Sequence, residues 1–260
     1  MSICSKILLQ INSKLRGISY KAIRDKKVNE KKLMVIGVDS SHISGKRTRG
    51  AMAASINDSF TYNKEEIIEE KNRKYLKFCI STFIEESIIV YNKENKNQPK
   101  GIIIYRQGVS FQQKEFLKNE IPQIDEVCKT KNLLYYYILV NTKNTFKFFE
   151  KSKNGFSNLG WGLLVLDGVI NRNFFEFYIQ PQDVTQGSAT PTCFHVAYGN
   201  LNLPEIIPKF TFDLCHLYSN WQGTVRIPNV IKAAEKLSKM TAKYKLGILN
   251  NELKLGQAYL

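Results

Sequence analysis

The sequence holds nothing near the roughly 18 consecutive apolar residues that a membrane-spanning helix needs. Its N-terminal stretch, MSICSKILLQINSKLRG, is too interrupted by Lys, Gln and Asn for a signal peptide. Cysteine is sparse: Cys4, Cys79, Cys128, Cys193 and Cys215 are scattered, odd in number, and form no CxxC pair. That argues against a disulfide framework or a zinc site. It favours a reducing, intracellular compartment, cytoplasmic or nuclear, over secretion. There is no internal repeat and no low-complexity linker. Acidic residues are few, 23 against 38 Lys and Arg, for a net charge of +15. A polyanion is the natural partner of such a chain, through release of counterions from phosphates. A membrane surface is the competitor, but no basic amphipathic helix with a clear apolar face supports it.

What is present allows a substantial core: 260 residues, 43% of them hydrophobic. That is enough for one large domain or two small ones. The organising stretch is 33–42, LMVIGVDSSH. A short apolar run bounded by charged and polar residues reads as a buried strand. It delivers one carboxylate, Asp39, to the strand's end. A second run, 101–106 (GIIIYR), has the same character and stops at Gln107-Gly108. If these strands are parallel neighbours, Asp39 and Gln107 meet at the carboxyl end of the sheet, where ligands and chemistry gather in α/β folds.

Along the chain, Ile3, Ile7, Leu8 and Ile11 fit a short helix, with Arg16-Gly17 as its stop and Gly at C′. After a Lys-rich connector come the first strand, a second at 51–56 and a third near 60–62. Residues 63–92 read as one long helix, capped by Asn63, with Glu65, Glu66, Glu69 and Glu70 near its positive end. A helix is expected over 110–130, kinked or broken at Pro122. Strands are expected at 133–140, 162–167, 174–179 and 193–198, with a polar, basic segment over 141–158. Helices at 204–218 and 229–245 close the chain. A meander followed by alternating strands and helices means a mixed α/β sheet covered by helices.

These motifs resemble the PIWI domain of the Argonaute/Piwi family, and within it the Piwi branch. The likeness begins with SKILLQINSKLRG and continues through MVIGVDSSH, IIIYRQGVSFQQ and NEIPQI. It runs on through QGSATPT, LCHLYSNWQGTVRIP and the terminal AYL. It implies an RNase H-like fold. It implies a role in RNA-mediated gene silencing, holding a small guide RNA by its 5′-phosphate end together with the complementary RNA target. Other silencing proteins are further partners of that kind. Residues 1–32 then correspond to the terminal helix of a MID-like domain plus a connector, and 33–260 to the PIWI domain. The family's N and PAZ domains, and most of MID, are expected to be missing from this chain.

In the family's cutting members, acids end the first strand and the YRxGVS strand, a His follows the IP motif, and a glutamate completes the set. Two divalent metals, Mg²⁺ or Mn²⁺, clamp the attacking and leaving oxygens of the scissile phosphate. Asp39 matches the first position and is the expected metal ligand. Gln107 stands at the second and Glu235 at the third. Glu66, with Glu65, is the nearest candidate for the assisting glutamate; the alternative reading is an acid in a helix's first turn. Two departures imply loss of target cleavage. The competing reading is a guide-dependent, Mg²⁺-dependent RNA endonuclease with a non-standard catalytic set.

For binding, the resemblance places Gln10 and Lys14, four apart on one helix face, in the 5′-phosphate pocket. The C-terminal carboxylate of Leu260 lies near the same phosphate in relatives, through a divalent metal. Lys143 and Lys147 match a segment contacting guide phosphates. Gln186, Thr190 and Thr192 are short polar groups able to touch a sugar-phosphate backbone, and Arg226 matches an arginine near the duplex groove. His42 reads as a loop hydrogen-bonding residue. His195 and His216 read as packed histidines rather than ligands.

Overall fold

The computed structural model describes residues 3–22, 28, 30, 32–41, 48–69, 79–109, 114–153, 155–168, 175–201, 204–244 and 254–255. Helix α1 (Ile3–Lys14) leads into the meander β1 (Leu33–Ser41), β2 (Arg49–Ser55) and β3 (Asn63–Glu69). Helix α2 (Ile80–Asn95), β4 (Gly101–Gln107), α3 (Lys114–Lys131) and β5 (Leu134–Asn141) follow. The hairpin β6 (Phe149–Ser152) and β7 (Gly155–Asn158) precedes β8 (Leu163–Val165), β9 (Phe175–Gln180) and β10 (Thr192–Gly199). Helices α4 (Ile207–Leu214) and α5 (Asn229–Tyr244) complete the described fold.

Eight strands form one mixed sheet in the order β3-β2-β1-β4-β5-β10-β9-β8. β1, β4 and β5 are parallel neighbours, and the flanking pairs are antiparallel. The parallel strands are buried on both faces, which is why they read as continuous apolar runs. Leu33, Val35, Ile103 and Tyr105 pack with α4 and α5 on one face. Met34, Ile36, Ile102 and Ile104 pack with α2 and α3 on the other.

Helix α5 lies directly on the meander. A Cβ added to Gly37 would sit 2.4 Å from the backbone carbon of Val230, so only glycine allows this approach. Ala51 and Ala53 on the sheet meet Ala233 and Ala234 on the helix in the same way.

Several expectations are corrected. Residues 63–69 are not the first turns of a helix. They pair in continuous antiparallel register with β2, and strand pairing overrides the helix propensity of the glutamates. Asn63 therefore caps nothing and is buried opposite Ser55. Helix α2 begins only at Ile80, and it does bury Phe83, Ile84, Ile88 and Tyr91 as the periodicity required. The strand expected at 60–62 is a turn, in which Asn57 Oδ1 accepts from the backbone N–H of Thr61 and Tyr62. Helix α3 continues through Pro122 rather than breaking there. At the end of α1 the left-handed residue is Arg16 (φ 60°), not Gly17. Gly17 N–H donates to the Asn12 carbonyl at 2.7 Å, placing Gly17 one position beyond C′. The hairpin β6-β7 was unforeseen within the basic segment.

At the β3 edge, Lys64 bridges to Leu255, and Glu65 N–H donates to the Lys254 carbonyl at 2.8 Å.

Candidate functional site

The carboxyl ends of β1 and β4 meet as their sequences required. Val38 lies opposite Arg106, so Asp39 and Gln107 are the next residues on adjacent strands. Gly108 (φ +84°) turns the chain there, and a Cβ on it would lie 3.7 Å from Asp39 Oδ1. Arg106 steadies this turn from beneath. Its Nη1 donates to the Gln107 carbonyl at 2.6 Å, and its Nε meets Glu120 Oε1 at 3.3 Å on α3.

Asp39 is buried, 4% exposed. Ser238 Oγ on α5 donates to its Oδ2 at 2.6 Å. Burial raises the Asp39 pKa, and the Glu235 charge adds to the rise. The Ser238 hydrogen bond and the Arg106 and Lys239 charges pull it back only in part.

Glu235 is on α5, one turn before Ser238, and it is held. Lys232 Nζ lies 2.7 Å from its Oε2, and Lys239 Nζ donates to its Oε1. Burial alone would raise the Glu235 pKa, but the two lysines outweigh it and hold the carboxyl below its usual range. Gln107 Oε1 is buried and has no hydrogen-bond partner among the described residues. No group of three or more His, Cys, Asp or Glu side chains suited to a metal ion occurs among the described residues.

Glu66 does not join this cluster. Ile67 shares the register of Ala51 and Asp39, whereas Glu66 pairs with Met52. Strand alternation turns it to the opposite face, where Lys64 Nζ lies 3.5 Å from Glu66 Oε2 and 2.8 Å from Glu86 Oε2 of α2. Glu65 is on the Asp39 face but two strands away, about 10 Å across the sheet.

A second group of expected residues lies along the loops beyond β9 and α4. Lys147 donates to Thr190 Oγ1. Thr190 and Arg226 line one pocket with Gln180, Gln182 and Ser188. Arg226 Nη2 donates to the Thr142 carbonyl at 2.9 Å, and its Nε is buried with no partner among the described residues. Burial pulls the Arg226 pKa down, against the raising effect of Glu235. Thr192 is buried in β10, its hydroxyl bound to the Arg226 carbonyl at 2.8 Å. Lys143 and Gln186 are exposed.

Gln10 and Lys14 share one face of α1. Gln10 Nε2 donates to Asn220 Oδ1 at 2.7 Å, tying the helix to the 218–224 loop, while Lys14 is exposed. Leu260 and His42 lie outside the described residues. His195 Nδ1 is 3.4 Å from Glu176 Oε2, and burial lowers its pKa. His216 stands just past α4, its Nδ1 3.1 Å from the Phe212 carbonyl.

Sequence reasoning missed Ser238, Lys232 and Lys239. The lysines carried a signal: positions three before and four after Glu235 share its helix face. Ser238 carried none.

A model of the Piwi domain family matches residues 1–245. Piwi-like protein Ago3 of Bombyx mori is 35% identical over 256 residues, covering 93% of this chain and 27% of that protein. The crystal structure of Drosophila Piwi superposes with a TM-score of 0.83 at 28% identity, over 100% of this chain and 36% of that one. Kluyveromyces polysporus Argonaute, solved with a guide RNA, gives a TM-score of 0.83 at 17% identity, over 98% of this chain and 34% of that one; it shares the fold. This chain spans well under half the length of each of these proteins. Its eight-stranded mixed sheet with flanking helices is the RNase H-like architecture of the PIWI lobe, and the chain belongs to the Piwi domain family.

Proposed function

We propose that this domain holds a small guide RNA and its paired target in RNA-mediated silencing, and that it does not cut the target. The observation that carries the second half is the state of Glu235, both of whose carboxylate oxygens are taken by lysine ammonium groups. With a neutral amide at Gln107, Asp39 alone among the described residues offers a carboxylate outside an ion pair at this centre. Two divalent ions need several such oxygens. The donor set among the described residues does not fit them. Losing that clamp removes several kcal/mol of transition-state stabilisation.

The binding half rests on the charge of +15 and on cationic and amide groups placed for phosphates. Lys14 and Gln10 would meet the 5′-phosphate, and the family likeness would add the C-terminal carboxylate of Leu260 through a divalent ion. Lys147, Lys143, Thr190, Gln186 and Arg226 serve the backbone. Such contacts position a strand without reading it; sequence is read by the guide's own pairing. Residues 1–32 correspond in this reading to the terminal helix of a MID-like domain with its connector, and 33–260 to the PIWI domain. The five free cysteines fit a reducing, intracellular setting, and no described helix could cross a membrane.

The test is binding of a short RNA with and without a 5′-phosphate at two salt concentrations. It is followed by single-turnover incubation of the guide-loaded protein with target and Mg²⁺ or Mn²⁺. A preference for the phosphorylated end, lost in Lys14→Ala, supports the guide role. Robust metal-dependent cleavage would show that the domain is an endonuclease after all.

A further inference from the structure

Trp161 and Trp221 are the only tryptophans in the sequence, and both are exposed, at 58% and 46%. They line one cleft of about 370 Å³ together with His216, Gln182, Asp183 and Thr224. The two rings are not scattered singly but open into the same cleft, and a contiguous apolar patch rimmed by polar groups marks a binding site. The Trp161 ring rests on Phe212, centroids 6.2 Å apart and planes 29° apart, and meets His216 edge-on. Phe212 and His216 thus fix its plane. The rim is also fixed in advance. The backbone N–H of Trp161 donates to Asp183 Oδ1 at 2.8 Å. Gln182 Nε2 donates to the Thr224 carbonyl at 2.6 Å, and Thr224 Oγ1 donates to the Pro181 carbonyl.

This cleft is not isolated. Gln182 lines both it and the neighbouring pocket of Thr190 and Arg226. On its other side Trp221 follows Asn220, the residue bound to Gln10 of α1. A strand whose phosphates pass Arg226 and Lys147 would bring a base to the tryptophans. A rigid aromatic plane rimmed by amide, carboxylate and hydroxyl groups suits a flat heterocycle with polar edges, and the positive charge suits the backbone that carries it.

We propose that the Trp161–Trp221 cleft receives one unstacked nucleobase of a single-stranded RNA whose backbone runs past Arg226. The proposal deepens the guide-holding reading and rests on it.

Because both tryptophans line the cleft, intrinsic fluorescence reports on this site alone. The probe is a 5′-phosphorylated ten-nucleotide RNA, compared with an abasic ribose-phosphate strand of equal charge. Binding is followed separately by anisotropy of an end-labelled RNA. The expected result is tryptophan quenching by the RNA and none by the abasic strand. Trp161→Ala should weaken RNA binding by about tenfold, with Trp161→Phe retaining most of it. Both variants alter exposed positions, and their circular dichroism should match the parent. RNA binding with no quenching, or unchanged affinity in Trp161→Ala, would overturn the base site and leave the guide reading standing. Failure of any RNA to bind would overturn both. A proline-rich, tryptophan-free peptide that quenches the tryptophans while RNA does not would overturn the base site and make the cleft a protein-docking site instead.

Discussion

The hydroxyl of Ser238 on α5 reaches Asp39 Oδ2 at 2.6 Å, tying that helix to the end of β1. In a working two-metal centre a carboxylate here would face cations. Here it faces a serine, with a lysine-bound glutamate one turn away.

Asp39 is therefore a charge kept buried without an ion-pair partner among the described residues. Its folded pKa is raised above the ordinary 3.8, so the folded state holds the proton more tightly than the unfolded chain. The stability this confers is complete below the unfolded value and is lost as pH rises through the folded one. Asp39→Asn should raise the Tm at pH 7 and leave it unchanged well below pH 3.8. Each 1 kcal/mol gained moves the midpoint by about 2–4 °C in a chain of this size. Thermal melts across pH decide it; a lower Tm at neutral pH would contradict the argument.

Lys232 and Lys239 are partners in one clamp. Lys239 is 60% exposed, so Lys239→Ala alone should cost only about 0.5 kcal/mol, as should Lys232→Ala. Removing both leaves a buried carboxylate unpaired, and the double variant should cost more than the sum by about 1 kcal/mol or more. Urea titrations of the four proteins in the cycle measure the coupling. The lowered Glu235 pKa makes the clamp's contribution present above pH 4.5, fading as pH falls through the folded value.

Gln107→Asp places a second carboxylate beside Asp39 but leaves Glu235 clamped. It should not restore Mg²⁺-dependent cleavage of a guide-paired target. It should lower stability by about 1 kcal/mol through like-charge repulsion. Single-turnover cleavage and a thermal melt read the two effects. Cleavage by this variant would show that Glu235 is a competent ligand.

Gly37→Ala should lever α5 off β1, because the added carbon would sit 2.4 Å from helix backbone rather than from a side chain that could move. A loss of roughly 1–3 kcal/mol is expected, measured by chemical denaturation. A neutral effect would mean that the helix can shift without cost.

The parallel pairing of β1 with β4, and with it the meeting of Asp39 and Gln107, was legible because buried parallel strands announce themselves as apolar runs. The 63–69 strand was not. NKEEIIE has helix-forming glutamates, and only its pairing with β2 makes it a strand, a fact held in another part of the chain. The position of Glu235 could be counted along the helix, but its clamp could be read only by treating its lysine neighbours as partners. The Trp161–Trp221 cleft was invisible for a different reason. It is assembled from residues near 161, 182 and 221 that no local pattern connects.

The short bridge from Lys64 to Leu255 has a consequence for how copies of this chain behave in company. β3 ends the sheet, and an uncovered edge strand is a template on which another molecule's strand can grow. The 254–255 segment occupies that template at Lys64 and Glu65 from within, and the buried charges of those two residues make the strand an unfavourable landing place for an apolar partner. The far edge, β8, is only three residues long. Both margins of the described sheet are thus guarded against pairing with a second copy of the chain.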